Sequence, residues 1–163
     1  MYTLGKAGRE EEETGMGRMA MVLTAVALMI VLSAGVAVAA SITGTPDRDV
    51  LDGSGKNETI SGRGGPDTID GAGGRDTVKG GDGGDDVGGG AGADTVYGNG
   101  GDDYLIDAPD NDRDVLYGGS GEDNVQVRDF PAVKDVVYCG SRRDTAYVDR
   151  LDVVHDCEIV RLP

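Results

Sequence analysis

The stretch Gly71–Tyr97, "GAGGRDTVKGGDGGDDVGGGAGADTVY", divides without remainder into "GAGGRDTVK", "GGDGGDDVG" and "GGAGADTVY". Each nonapeptide opens on glycine, carries Asp at position six and Val at position eight. The same frame runs back through "GRGGPDTID" and "GSGKNETIS" to "GTPDRDVLD" at Gly44, and forward through "GNGGDDYLI" to the eleven-residue "DAPDNDRDVLY" and then "GGSGEDNVQ". Position six reads Asp49, Glu58, Asp67, Asp76, Asp85, Asp94, Asp103, Asp114 and Asp123; position eight reads Leu51, Ile60, Ile69, Val78, Val87, Val96, Leu105, Leu116 and Val125. Acids and aliphatics in every block at one fixed spacing are not a chance alignment, and a short fixed period of this kind marks a solenoid.

One block reads as a turn followed by a short strand. Glycines at positions one and four allow the positive φ and the close backbone approach of a tight loop. The triplet around position eight, often Thr-Val or Thr-Ile, favours strand. With a side-chain period of two, only the position-eight aliphatic points inward. Two blocks make one coil with a strand on each side, and coils stack in parallel at about 4.8 Å. The expected fold is therefore all-β, a right-handed parallel β-roll, or β-solenoid, over residues 44–126, with residues 127–163 as a C-terminal cap.

Stacking in steps of 18 residues puts Asp49, Asp67, Asp85 and Asp103 in one column and Glu58, Asp76 and Asp94 in the other. Bare carboxylates about 5 Å apart repel one another, so the columns call for a cation. Oxygen ligands in flexible loops, without His or Cys, suit calcium; magnesium demands stricter geometry, and zinc prefers nitrogen or sulfur. An ordinary solvated acidic face would not repeat its acid at the same position in nine consecutive blocks.

The pattern G-x-x-G-x-D-x-U-x, with U aliphatic, resembles the RTX, or hemolysin-type calcium-binding, repeat family, and blocks such as "GGAGADTVY" match it at every defined position. The resemblance implies calcium as the bound ion, held between loops of adjacent coils by position-six carboxylates: Asp67, Asp76, Asp85, Asp94 and Asp103, with Asp49, Glu58, Asp114 and Asp123 towards the ends of the array. It also implies main-chain ligands from the glycine-rich loops, at Gly62, Gly65, Gly71, Gly74, Gly80, Gly83, Gly89, Gly92, Gly98 and Gly101. The sequence departs from the pattern at Lys56, Asp107 and Asp112, where glycine is expected.

Composition fits this reading. The 163 residues include 29 glycines, one phenylalanine and no tryptophan, too little for a conventional hydrophobic globule. A net charge of −15 argues against nucleic acid and for a cationic partner. Ahead of the repeats, Arg18 precedes the uncharged apolar run Met19–Leu32, and Ala37-Val-Ala-Ala40 offers a small-residue cleavage site. Residues 1–40 therefore read as a signal peptide, with a membrane anchor as the alternative and Met16 as a second start beyond the acidic run Glu10–Glu13. Export follows from either, so the chain reads as a secreted protein, or one tethered outside the cell.

In the tail, Asp135-Val-Val-Tyr and Asp144-Thr-Ala-Tyr preserve remnants of the repeat, and Phe130, Tyr138 and Tyr147 supply bulk for a cap. Cys139 and Cys157 are 18 residues apart, one full coil. If the roll continues, both fall at position one of the same edge, close enough to bridge, and an exported chain favours the disulfide. His155, Asp144, Asp152 and Ser141 make no nucleophile elbow, so no enzyme is expected. The expected role is non-enzymatic calcium binding, with an accessory or passenger module of a secreted hydrolase, toxin or adhesin system as the alternative.

Overall fold

The computed structural model describes residues 40–127, 129 and 132–163. The apolar segment read as a signal peptide or anchor, up to residue 39, and Phe130 of the tail lie outside them. Within the described residues every regular element is a strand: β1 (Ala40–Thr43), β2 (Val50–Ser54), β3 (Glu58–Gly64), β4 (Thr68–Ala72), β5 (Thr77–Asp82), β6 (Asp86–Gly88), β7 (Thr95–Gly100), β8 (Tyr104–Ile106), β9 (Val115–Ser120), β10 (Asn124–Gln126), β11 (Val136–Ser141), β12 (Thr145–Tyr147), β13 (Val153–His155) and β14 (Ile159–Arg161). Odd strands form one seven-stranded parallel sheet and even strands a second. The chain is a β-solenoid that alternates between two sheets, a β-roll.

Register follows the nonapeptide frame. Thr59 pairs with Thr77 and Thr77 with Thr95 on the odd sheet, and Thr68 pairs with Asp86 on the even sheet, all steps of 18. The two extra residues of the eighth block stay in the turn after β8, so Thr95 meets Val115 and the aliphatic column is undisturbed. Later steps vary further, Val115 to Val136 and Thr145 to Ile159, yet β11–β14 still extend both sheets.

Each repeat strand from β2 to β10 sends one aliphatic inward. Ile60, Val78, Val96, Leu105, Leu116 and Val125 are fully buried, and Val127, Val137, Cys139, Ala146 and Val148 continue the core into the tail. Outward-facing residues of the odd sheet stack in register: Tyr97 on Tyr117 at 4.8 Å, Tyr117 on Tyr138 at 4.9 Å, and Tyr138 on His155 at 4.6 Å, with Lys79 Nζ 5.7 Å from the Tyr97 ring.

The glycines divide their work in a way the sequence reading did not anticipate. Positive φ occurs at position four, as expected, at Gly65, Gly74, Gly83, Gly92 and Gly101, but also at position two, where Arg63, Ala72 and Asn99 adopt it alongside Gly81 and Gly90. Position-one glycines are needed for space instead. A Cβ on Gly62, Gly71, Gly80, Gly89, Gly98 or Gly118 would stand within 3.0 Å of an aspartate Oδ2.

Cys139 and Cys157 form a disulfide with Cα atoms 5.1 Å apart. It joins β11 to the segment between β13 and β14, one coil further on.

Two outcomes follow. Gly62→Ala should destabilise the calcium-loaded protein by about 1–3 kcal/mol through overpacking, whereas Ala72→Gly should leave it unchanged or more stable by up to about 1 kcal/mol, because it relieves a left-handed non-glycine residue; urea unfolding in saturating calcium measures both. Reducing the Cys139–Cys157 bridge should cost roughly 3 kcal/mol in the chain-entropy model, read as a lowered thermal midpoint, and denatured, unreduced protein should present no labelable thiol.

Candidate metal centre

The position-six acids are not on the surface. Each lies at the start of a strand, inside the turn that joins the two sheets, and the aspartates from Asp67 to Asp144 in both columns are at most 2 % exposed. Their first oxygens are used by the main chain. In one column the N–H of Asp49 donates to Asp67 Oδ1, and the same bond repeats from Asp67 to Asp85, Asp85 to Asp103, Asp103 to Asp123 and Asp123 to Asp144, ending with Asp144 N–H on Glu158 Oε2, all between 2.8 and 3.0 Å. In the other, Glu58 donates to Asp76, Asp76 to Asp94, Asp94 to Asp114, Asp114 to Asp135 and Asp135 to Asp152, between 2.6 and 3.1 Å.

The second oxygens differ along the array. At its start they have donors: Asp49 Oδ2 accepts from the Thr45 N–H at 2.6 Å and hydroxyl at 3.0 Å, and Glu58 accepts from the Ser54 N–H at 2.9 Å and from the Ser54 hydroxyl. From Asp67 on they have none. Oδ2 of Asp67, Asp76, Asp85, Asp94, Asp103, Asp114, Asp123, Asp135 and Asp144 is buried without a hydrogen-bond donor among the described residues. An unpaired buried carboxylate oxygen is costly, and each needs a proton or a cation.

The surroundings of these oxygens are other oxygens. The space a Cβ would fill at Gly62 is bounded by Asp67 Oδ2 and the Gly80 carbonyl; at Gly71 by Asp76 Oδ2 and the Gly89 carbonyl; at Gly80 by Asp85 Oδ2 and the Gly98 carbonyl; at Gly98 by Asp103 Oδ2 and the Gly118 carbonyl; and at Gly118 by Asp123 Oδ2 and the Cys139 carbonyl. Position-four carbonyls, such as those of Gly65, Gly74 and Gly83, instead face the position-four glycine one coil on. Carboxylate and main-chain oxygens in glycine-shaped turns, with no nitrogen or sulfur ligand beside them among the described residues, fit a hard cation of calcium's kind.

Electrostatics agree with an unmet charge demand. Burial raises the pKa of Asp67, Asp76, Asp85 and Asp144, against the lowering effect of the main-chain bond. It pushes Asp94 and Asp103 up to about 7, with neighbouring carboxylates adding to the shift, and Asp123 up to about 6. Asp135 is likewise raised to about 7, first by burial and then by Asp129.

Sequence reasoning found the two columns and missed their extension. Asp135 and Asp144 occupy the same slots as the repeat acids, and the surviving signal was Asp-x-aliphatic, Asp135 with Val137 and Asp144 with Ala146, without the glycines of positions one and four. Asp123, beyond the irregular block, has the same two bonds as its predecessors. Asp107, noted as a lost glycine, is a buried carboxylate with neither oxygen bonded to a donor among the described residues. Burial, then the charge of Asp114, pushes it up to about 10.

A family model described as RTX calcium-binding nonapeptide repeat matches in four copies, over residues 43–78, 52–87, 79–106 and 109–126. No curated protein and no solved structure matches the chain. The matched copies together span half the chain and coincide with the turns just described, and the chain belongs to the RTX calcium-binding nonapeptide repeat family.

Proposed function

We propose that the protein is an exported, non-enzymatic calcium-binding protein whose ions sit between successive turns and are required for its fold. The observation that carries this reading is the series of buried Oδ2 atoms from Asp67 to Asp144, each lacking a donor, with next-coil main-chain carbonyls beside those of Asp67, Asp76, Asp85, Asp103 and Asp123. When bound, calcium supplies positive charge and accepts six to eight oxygens at once. Asp67, Asp76, Asp85, Asp94, Asp103, Asp114 and Asp123 would hold it, with carbonyls of Gly80, Gly89, Gly98, Gly118 and Cys139. Asp49 and Glu58 have their oxygens supplied by Thr45 and Ser54, so they serve to seat the first coil rather than as principal ligands.

Folding and binding are then one event. The aliphatic core is one thin layer, a file of Val, Ile and Leu from each sheet, and the turns are lined with buried acids whose repulsion the apolar burial does not offset. Such a chain folds with its metal, in the manner of small metal-dependent domains. Calcium-rich surroundings outside the cell, and the Cys139–Cys157 bridge, both suit an exported protein.

Full-length protein stripped of calcium should show little β-structure by circular dichroism and gain it on calcium addition, with magnesium a poor substitute. Identical spectra in chelator and in calcium would overturn the proposal. Acid should partly replace the metal. The carboxylates have folded pKa values raised above their unfolded ones, so their contribution favours the fold at low pH and is lost as pH rises through about 7, where Asp94, Asp103 and Asp135 titrate. Calcium-free protein should therefore gain β-structure on going from pH 8 to pH 5, and the calcium needed for half-folding should fall over the same range, because protons satisfy the oxygens the ion would otherwise have to meet.

A further inference from the structure

The eighth block breaks the repeat where the acids come closest. Its register places Asp107 in the position-one slot above Gly71 and Gly89: Gly88 pairs with Ile106, and the Asp107 N–H donates to the Gln126 carbonyl at 3.0 Å as the sheet continues. Every other resolved position-one slot from Gly62 to Gly118 holds glycine, for want of room. The two additional residues of this block enlarge the turn and admit a side chain.

That side chain turns inward. At Gly89 the oxygens nearest a hypothetical Cβ are Asp94 Oδ2 at 3.0 Å and Asp107 Oδ1 at 3.1 Å, so the Asp107 carboxylate stands where its sister turns present a main-chain carbonyl. One carboxylate oxygen from each of Asp94, Asp107 and Asp114 lies within 4.8 Å of the other two. Asp107 is only 5 % exposed, and neither of its oxygens meets a donor among the described residues. A structural role for acids in this turn is filled by another residue. Asp110 accepts from the Gly92 N–H at 2.7 Å and the Asp112 N–H at 2.6 Å, and gives its own N–H to Asp129 Oδ1. Asp107 has no such use.

We propose that Asp94, Asp107 and Asp114 form a three-carboxylate cation site, distinct from the repeat's ordinary turns, that takes calcium first and most tightly. This rests on the calcium reading given above, with one difference in kind: an ordinary turn pairs its aspartates with neutral carbonyl oxygens, whereas here a third negative ligand replaces a carbonyl. Affinity in calcium sites rises with the number of charged ligands when the site is rigid.

The test is graded removal of calcium from loaded, folded full-length protein with chelators of increasing strength, counting the ions retained per chain, wild type against Asp107→Asn and Asp107→Gly. Wild type should show one tight site that keeps its ion after a weaker class has emptied. Asp107→Asn, which keeps the side chain's shape, should weaken that one site on the order of tenfold and leave the weaker class unchanged. Asp107→Gly should merge it into the weaker class without loss of stoichiometry, and if that variant fails to fold, Asp107→Asn decides alone. A single uniform class in wild type, an unaltered tight site in Asp107→Asn, or equal weakening of every class would each overturn the three-carboxylate site while leaving calcium binding by the turns intact. Wild-type protein that binds no calcium would overturn both.

Discussion

Each coil is fastened to the one before it by a carboxylate: the aspartate at position six turns back and takes the main-chain N–H of the corresponding acid in the previous coil. The bond is short, buried and repeated along both columns. It fixes the side chain so that one oxygen is committed to the stack and the other is left facing the turn. Glycine at position one of the regular turns follows from this, since a Cβ at Gly62, Gly80, Gly98 or Gly118 would collide with that second oxygen. So does the demand for a cation, because a carboxylate pinned inside the turn by one oxygen cannot swing out to reach water with the other. Architecture and ion binding are two results of one constraint.

The constraint also explains how the solenoid tolerates irregular spacing. The paired atoms sit at the strand starts, so extra residues are absorbed in the turns that precede them. The step from Asp94 to Asp114 is 20 residues and that from Asp114 to Asp135 is 21, yet both make the same N–H to Oδ1 bond as the regular steps. At the far end the acid is no longer aspartate, and Glu158 reaches the Asp144 N–H from only 14 residues away. Thr45 and Ser54 close the near end by giving Asp49 and Glu58 ordinary hydrogen-bond donors.

Much of this was legible in the chain itself, for a physical reason. A solenoid writes its geometry as a period, so the inward file from Leu51 to Val125 and the acidic columns could be read from spacing alone, as could the approach of Cys139 to Cys157. What spacing does not encode is direction and depth. Nothing in the repeat says that the aspartates are buried, or that one oxygen of each is taken by the main chain. Nor does it say that Arg63, Ala72 and Asn99 carry the positive φ while Gly62 and Gly80 provide room. Asp107 shows the limit most clearly: set against a glycine pattern it counts as a loss, and only the enlarged turn around it shows a third buried carboxylate beside Asp94 and Asp114. Asp135 and Asp144 were obscured by the opposite effect, since their turns lack the glycines of positions one and four while retaining the bond.

The row of rings on the outer face of the odd sheet gives the molecule its own optical label. With no tryptophan in the chain, near-ultraviolet absorption is dominated by tyrosine, and Tyr97, Tyr117 and Tyr138 lie face to face along consecutive coils of the C-terminal half. Rings this close couple their transitions only when their coils are stacked. The earlier coils of that sheet, carrying Ser61 and Lys79 in the same file, contribute no ring to it. The aromatic signal therefore reports order in one half of the roll and the peptide signal reports order in all of it. Divergence of the two during folding would show which end assembles first.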